Sequence, residues 1–231
     1  MNLYQLKSGY RYNSDTLLLY DFASFFIKKG SVLDVGCGCG ILGLLLKRDF
    51  PSILLEQIDI QQENVSLAEK NANENNLHVT ILCGNFLTQK YNTKYDYIVS
   101  NPPFYYNGGT KSDNKHLSIS RDEEHLPFEQ FAKKSSKILA NRGSLIFCYD
   151  ARRLDYVCSC LSQNGLKIQE VRFVHARAGK EASLVLIHAR KNSKTLCKVL
   201  PPICVYEGEI FSQYVQDIYK KSATKSIDCP Q

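Results

Sequence analysis

No run in the chain is long and apolar enough to span a bilayer, which takes about 20 consecutive apolar residues. The first residues, Met1-Asn2-Leu3-Tyr4-Gln5-Leu6-Lys7, lack the charged-then-apolar layout of a secretory signal. Cysteine is present but unorganised: nine residues, an odd number, with no CxxC spacing. The two CxC pairs, Cys37/Cys39 and Cys158/Cys160, fall in a glycine-rich turn and in a predicted helix. These features argue against zinc and against a disulfide framework, and the thiols read as reduced ones in a cytoplasmic protein with no metal. There is no internal repeat, no low-complexity tract and no linker of the kind that separates domains. Nothing points to an obligate protein partner or to a membrane.

A chain of 231 residues with 44% hydrophobic and 23% charged residues is ordinary globular material. A single domain over 1–231 is expected, with an N-terminal cap segment and helix over 1–30, a core over 31–191 and a C-terminal extension over 192–231. The net charge of +6 is a mild basic excess, compatible with a polyanionic partner. Residues up to Asn101 are nearly balanced. The excess comes from Lys111, Lys115, Lys133, Lys134, Lys137, Arg142, Arg152, Arg153 and the segment from Arg172 to Lys198. The side carrying the later chain is therefore the expected contact side.

Ser14 or Asp15 is placed to cap a helix running from Thr16 through Lys28, with Gly30 as its stop. Buried strands are predicted over 31–35, 53–59, 79–82, 95–100 and 143–149. Helices are predicted between them, through Lys47, over 63–75, from Pro127 to Leu139 and over 152–163. This alternation predicts a parallel, doubly wound α/β sheet. Residues 171–175 and 183–189 read as two further strands. The link Ala176–Ala182 is too short for a helical crossover, so the two pair antiparallel at the sheet's end. The expected fold is a seven-stranded, Rossmann-like sheet, mostly parallel with a terminal antiparallel hairpin. The tail adds Pro201-Pro202, a Cys204-Val205-Tyr206 run and a helix around 211–220.

The chain's most distinctive stretch is Asp96-Tyr97-Ile98-Val99-Ser100-Asn101-Pro102-Pro103-Phe104. Tyr97, Ile98 and Val99 are good strand formers. The two prolines cannot donate to a strand ladder, and Asn101, preceding a proline, is held extended. A stiff corner results, presenting an amide, two proline carbonyls and an aromatic ring at a strand's C-terminal edge, where open α/β sheets bind ligands. Two acceptors, the Asn101 side-chain oxygen and the Pro102 carbonyl, suit a planar amine attacking an electrophilic carbon, because they stabilise positive charge as it develops on nitrogen. Phe104 offers a face for stacking a base. No general base is required before attack, in keeping with the lack of a histidine or paired carboxylates nearby. The alternative is a packing turn with a capping asparagine.

Gly38-x-Gly40-x-x-Gly43 matches a dinucleotide fingerprint, with Asp59 about twenty residues later. The stretch is better described as Asp34-x-Gly36-x-Gly38-x-Gly40. A carboxylate at the strand end repels a pyrophosphate and suits a cationic ligand with an amino acid moiety, which disfavours a nicotinamide or flavin oxidoreductase. Asp59 is suited to ribose hydroxyls or to capping the next helix. Gly84-Asn85-Phe86 offers an amide for an adenine edge and an apolar ring beside it, or a plain turn.

Asp34-Val-Gly-Cys-Gly-Cys-Gly40, Asp59, Gly84-Asn85 and Asn101-Pro-Pro-Phe104 together resemble the class I S-adenosylmethionine-dependent methyltransferases that act on amines. Two further stretches, Gly9-Tyr10-Arg11-Tyr12-Asn13-Ser14-Asp15-Thr16-Leu17-Leu18-Leu19 and Arg172-Phe-Val-His175-Ala-Arg-Ala-Gly-Lys-Glu-Ala182, resemble the bacterial valine-tRNA adenine-N(6) methyltransferase family. The resemblance implies S-adenosyl-L-methionine as cofactor and an adenine 3′ of the anticodon as target. It implies that Asn101, Pro102, Pro103 and Phe104 hold the target amine. It also implies that Asp34, Gly36, Gly38 and Gly40 hold the methionine part, Asp59 with Ile60 beside it the ribose, and Asn85 with Phe86 the adenine. Ser14 and Asp15 would lie near the cofactor's amino acid end. That group of families usually carries an acidic residue where Asn85 stands, and asparagine keeps an acceptor but not the charge.

Basic and aromatic residues interleave where an RNA would lie: Tyr105, Tyr106, Lys111, Lys115, His116 and Arg121, then Arg172, His175, Arg177 and Lys180. Phosphates need cations and an unstacked base needs aromatics. A release-factor glutamine methyltransferase would share the corner, but those enzymes resemble a helical domain placed ahead of the core, and only about thirty residues precede Asp34. Guanine in ribosomal RNA and adenine in DNA are other candidate amines. A non-catalytic RNA-binding subunit would be expected to have a degraded glycine turn or corner, and both are intact.

Overall fold

The computed structural model describes residues 1–7, 11–104, 119–120 and 123–229. Seven strands build the centre of the sheet: β2 (Gly30–Val35), β3 (Ile53–Asp59), β4 (Thr80–Cys83), β5 (Tyr95–Ser100), β6 (Leu139–Asp150), β7 (Leu166–His175) and β8 (Ala182–Lys191). Their spatial order is β4-β3-β2-β5-β6-β8-β7. The first five run parallel, while β8 is antiparallel to both β6 and β7. The expected sheet with its terminal hairpin is therefore present. Two two-residue strands from the tail, β9 (Lys198–Val199) and β10 (Ile203–Cys204), lengthen it to nine by pairing with β7. Beyond them β11 (Tyr206–Glu207) and β12 (Ile210–Phe211) pair antiparallel as a small separate hairpin.

Val32, Leu33 and Val35 of β2 are buried because the strand is sandwiched between β3 and β5, with helices on both faces. On one face pack α1 (Ser14–Ser24), α2 (Ile41–Asp49) and α6 (Gln213–Ser222), through Leu17, Leu42, Leu45, Val215 and Ile218. On the other pack α4 (Phe128–Ile138) and α5 (Leu154–Gln163), through Phe128, Phe131, Val157 and Leu161. Between β3 and β4 the chain forms α3 (Gln62–Glu74). The order reverses at β2/β5, so the crevice beyond the C-terminal ends of these two strands is the topological switch point.

Several boundaries differ from expectation. Asn13, not Ser14 or Asp15, caps α1: its side-chain oxygen accepts from the Asp15 N–H at 3.1 Å. The helix ends at Ser24, and Gly30 opens β2 instead of stopping α1. At φ +102° Gly30 lies so close to Asp96 that a Cβ would stand 2.6 Å from the carboxylate. The Pro127 helix ends at Ile138, and β6 starts at once with Leu139.

The two ends of the chain also depart from expectation. Asn2–Leu6 is a strand, β1, paired in parallel with β13 (Lys225–Cys229). This clasp is tied to the core by Asn71 of α3, which is fully buried. Asn71 accepts from the Tyr4 N–H at 2.7 Å and donates to the Tyr4 carbonyl at 3.0 Å and the Cys39 carbonyl at 2.8 Å. One amide thus joins the N-terminal strand to the glycine turn. Asn71→Ala leaves three backbone groups without their partner, and we expect a loss of about 2 to 3 kcal/mol in unfolding free energy, read by urea denaturation. A loss below about 0.5 kcal/mol would show that the clasp is energetically detached from the core.

Candidate active site

Backbone hydrogen bonds and one carboxylate shape the turn after β2. The Gly36 and Cys37 N–H groups donate to the Ile58 carbonyl at 2.9 and 3.2 Å. The Gly38 N–H donates to Asp59 Oδ2 at 2.9 Å. Gly36 and Gly38 have φ of +67° and +56°, and a Cβ at either would stand in open space with no protein atom within 4 Å. The other two glycines serve packing: a Cβ at Gly40 or Gly43 would collide with Gln57, and at Gly43 also with Asp34. Gly40 is thus placed for bringing α2 onto the sheet, a different duty from the ligand contact expected of it.

Two cavities meet over this turn. The larger, about 620 Å³, runs from Gly36 and Gly38 past Asp59 and Ile60 to Asn85 and Phe86. The smaller, about 380 Å³, is bounded by Tyr12, Thr16, Asp34, Cys37 and Leu42. Gly36, Gly38 and Asn101 border both. Asn101 therefore stands at the junction of a long bent groove.

Asn101 is fixed from several directions. Ser100, fully buried, donates its hydroxyl to the Val35 carbonyl at 2.7 Å, locking the end of β5 to the end of β2. The Asn101 Nδ2 donates to Thr16 Oγ1 at 3.0 Å, and its Oδ1 accepts from the Cys148 thiol at 3.0 Å. Pro103 lines the larger cavity, whereas Pro102 is buried. Phe104 borders neither cavity; its ring lies 5.6 Å from that of Tyr149 and packs against both core clusters.

The carboxylates are more committed to the protein than the sequence suggested. Asp34 is 1% exposed, and its Oδ2 accepts from the Gly43 N–H at 3.0 Å and from Gln57 Nε2 at 2.8 Å. Burial pushes its pKa up to about 7 despite these two hydrogen bonds. Asp59 holds Gly38 with one oxygen and caps α3 with the other, accepting from the Gln61 N–H at 2.9 Å and Asn64 Nδ2 at 3.1 Å. The Asn85 oxygen accepts from the Leu87 N–H at 2.8 Å, so the turn claims the acceptor expected for an adenine. Phe86 is 4% exposed and packs in the core with its ring tilted against those of Tyr91 and Phe131.

Ser14 and Asp15 border neither cavity; because Asn13 caps α1, Tyr12 and Thr16 take that place. The larger cavity is closed by residues the sequence did not single out: Gln61, Asn64, Ile119, Ser120, His125 and Leu126. Gln61 Nε2 donates to Ser120 Oγ at 2.9 Å. Residues 123–126 are anchored by an ion pair between Glu123 and Arg153. Arg177 and Lys180 lie in the β7–β8 connection, on the same sheet edge as Asn101, and are exposed. Arg177 donates to the Gly208 carbonyl and lies over the Tyr206 ring. Tyr105, Lys111, Lys115 and Arg121 fall outside the described residues. Burial pushes the Cys37 and Cys39 thiols up, that of Cys39 to about 11, so neither is a thiolate nucleophile near neutral pH.

A parallel sheet that reverses at β2/β5, with a glycine turn cradling open space and a carboxylate at the C-terminal end of both β2 and β3, defines a class I S-adenosylmethionine-dependent methyltransferase. The chain belongs to the methyltransferase small domain family, whose model matches residues 13–157. It is 28% identical over 183 residues to the tRNA1(Val) (adenine(37)-N6)-methyltransferase of Pedobacter heparinus, covering 76% of this chain and 75% of that one. It is 34% identical over 112 residues to the ribosomal RNA small subunit methyltransferase C of Haemophilus ducreyi, covering 48% of this chain and 34% of that one. It is 28% identical over 131 residues to the release factor glutamine methyltransferase of Flavobacterium psychrophilum, covering 52% and 46%. Among solved structures, a protein described as a predicted O-methyltransferase from Agrobacterium tumefaciens superposes with a TM-score of 0.71 at 16% identity, over 93% of this chain and all of that one. That likeness concerns the fold. Among the described residues, no helix is long and apolar enough to cross a membrane, and no group of metal-ligating side chains is gathered.

The groove fits S-adenosylmethionine in two respects: the Gly36 and Gly38 backbone leaves open space along it, and Asp34 offers a negative charge beside the smaller cavity. The raised Asp34 pKa has a consequence for affinity. A cation binds the ionised carboxylate, so below about pH 7 a proton must leave first. We expect cofactor affinity to weaken towards tenfold per pH unit as pH falls from about 7 to about 5.5. Asp34→Asn should flatten this dependence, with calorimetry at each pH as the measurement. A wild-type profile as flat as the variant's would remove Asp34 from cofactor binding.

Proposed function

We propose that this chain transfers the methyl group of S-adenosylmethionine to the exocyclic N(6) amine of an adenine in tRNA, in the cytoplasm, with a valine tRNA's adenine next to the anticodon as the target. The observation that carries amine transfer is the place of Asn101, at the junction of the two cavities and bordered by proline. The tRNA relative favours an adenine in tRNA over the other amines, because it aligns over three quarters of both chains while the ribosomal RNA and release-factor relatives align over about half of this one.

The cofactor supplies a methyl group on a positively charged sulfur, an electrophile that needs no metal. Asn101 Oδ1 and the Pro102 carbonyl accept the two hydrogens of the target amine, drawing its nitrogen towards a pyramidal shape and stabilising the charge it gains. The Cys148 thiol suits this task. It is a weak donor, so it orients the Asn101 oxygen without competing strongly for it. Thr16 receives the other end of the amide and fixes which way round it lies. On the substrate side, Arg177 and Lys180 meet RNA phosphates, joined by Lys111, Lys115 and Arg121 from the segment after the corner, while Tyr105 offers its ring to an unstacked base.

Incubating the protein and labelled cofactor with total tRNA, ribosomal RNA, DNA and release factor separates the candidate amines. Label in tRNA, recovered as N(6)-methyladenine, is the expected result; label in another polymer alone, or in none, overturns the reading. Within an active enzyme, Asn101→Ala should lower turnover about a hundredfold or more while cofactor affinity stays within about threefold. Thr16→Val should lower kcat about tenfold at unchanged cofactor affinity, and Thr16→Ser should restore it. Equal turnover in all three variants would make the corner a packing turn.

A further inference from the structure

The chain's cations do not all gather beside Asn101. Three of them, Lys29, Arg142 and Arg190, line a separate open groove of about 670 Å³ at the opposite edge of the sheet. It lies where β2 and β5 begin and β8 ends, with Asp96 and Ser144 in its wall. Asp96 and Asn101 are five residues apart along β5, so the groove is about 16 Å from the corner and shares no lining residue with either cavity there.

Arg190 is the unusual member. It sits on β8 directly opposite Ser144 of β6. Its Nε is buried without a hydrogen-bond partner, and among the described residues the guanidinium has no ion pair. A buried guanidinium nitrogen left unpaired is costly. The groove's own carboxylate does not relieve it, because Asp96 Oδ2 is turned to the Ser31 N–H and hydroxyl at 2.9 and 3.0 Å. The Ser144 hydroxyl is occupied by His188 at 2.9 Å, which fixes that wall. Arg142 is presented from the other side by an irregular stretch of β6, where its pairing with β5 slips and it adopts φ +62°, a strained conformation for a non-glycine residue. Three cations against one internally bonded carboxylate leave the groove net positive, and the planar fork of an arginine matches a phosphate's oxygens two at a time.

We propose that this groove is a second binding site, for a phosphate-type oxyanion, with Arg190 as its anchor and Arg142 and Lys29 as flanking cations. It does not depend on the function proposed above, since its ligand is defined by the groove's chemistry alone. Two sources carry that chemistry, a phosphodiester of a bound RNA away from the target base and a free oligophosphate.

The test uses the full chain and inorganic pyrophosphate, titrated by calorimetry with and without saturating S-adenosylmethionine. Wild type should saturate in both cases. Arg190→Met should weaken pyrophosphate about tenfold or more, and Arg142→Ala and Lys29→Ala a few-fold each, all with unchanged cofactor affinity. Arg142 is exposed, so its variant keeps the test valid if Arg190→Met fails to fold. In a second arm, RNA affinity is measured against salt. A slope reduced by about one in Arg142→Ala identifies an RNA phosphate as the source; an unchanged slope with lost pyrophosphate binding identifies a free oligophosphate. Absence of saturable pyrophosphate binding by wild type, or wild-type affinity in Arg190→Met and Arg142→Ala, overturns the proposal.

Discussion

The hydrogen bond from the Gly38 N–H to the Asp59 carboxylate holds together the three elements that make the groove. β2 and β3 are neighbours by their ladder, but the strands stop at Val35 and Asp59, and beyond those residues no ladder holds the chain in place. Asp59 extends the order past that point. One oxygen takes the glycine turn; the other takes the Gln61 N–H and the Asn64 side chain at the start of α3. The Ile58 carbonyl receives two more turn N–H groups. The turn thus keeps two glycines at positive φ facing open space, a backbone conformation that residues with a side chain rarely adopt. Asn71 then ties the far end of the turn, at Cys39, to the N-terminal strand.

Asp34 and Asp59 look alike in sequence, each at the end of a strand before a helix, and the structure gives them different partners. Asp59 accepts three hydrogen bonds from the turn and α3. Asp34 accepts two but is buried beneath α2, and desolvation outweighs them. A carboxylate poised near neutrality is suited to a ligand that brings its own positive charge, because the cation replaces the solvation that burial removed.

The alternation of strands and helices was legible because buried parallel strands are short apolar runs and Gly, Pro and Asn punctuate them. The corner was legible for a stronger reason: proline geometry is covalent, so Asn101-Pro-Pro reads the same in isolation as in the fold. What escaped the sequence was long-range or side-chain-specific. β1 and β13 are five-residue strands that pair with each other from more than two hundred residues apart and are tied to the core by long-range contacts such as those of Asn71 and Asn75. Neither carries a local signal that distinguishes it from a polar terminus. The cap at Asn13, one residue before Ser14, shifted the register of α1 enough to bring Thr16 instead of its neighbours to Asn101. The carboxylate orientations, and the oxygen of Asn85 folded back on Leu87, depend on rotamers that no spacing encodes.

The two edges of the sheet divide the electrostatics in a way that comes from fold geometry. At the C-terminal edge the groove brings two carboxylates together, which favours a cationic ligand and disfavours phosphates in the same space. The RNA substrate proposed above would therefore present its base to this groove while its backbone is held by cations elsewhere. The Arg177 and Lys180 connection lies on the same edge but is carried by β7, at the far end of the sheet from β4. The Lys29, Arg142 and Arg190 groove lies on the other edge. Separating the cations from the carboxylates keeps them from neutralising one another, so each site retains its field. Asn101, uncharged and hydrogen-bonded to Thr16 and Cys148, stands at the junction of the two cavities. For the reaction proposed above, an amide is the group that can stand between a cationic methyl donor and an amine about to gain charge without forming an ion pair with either.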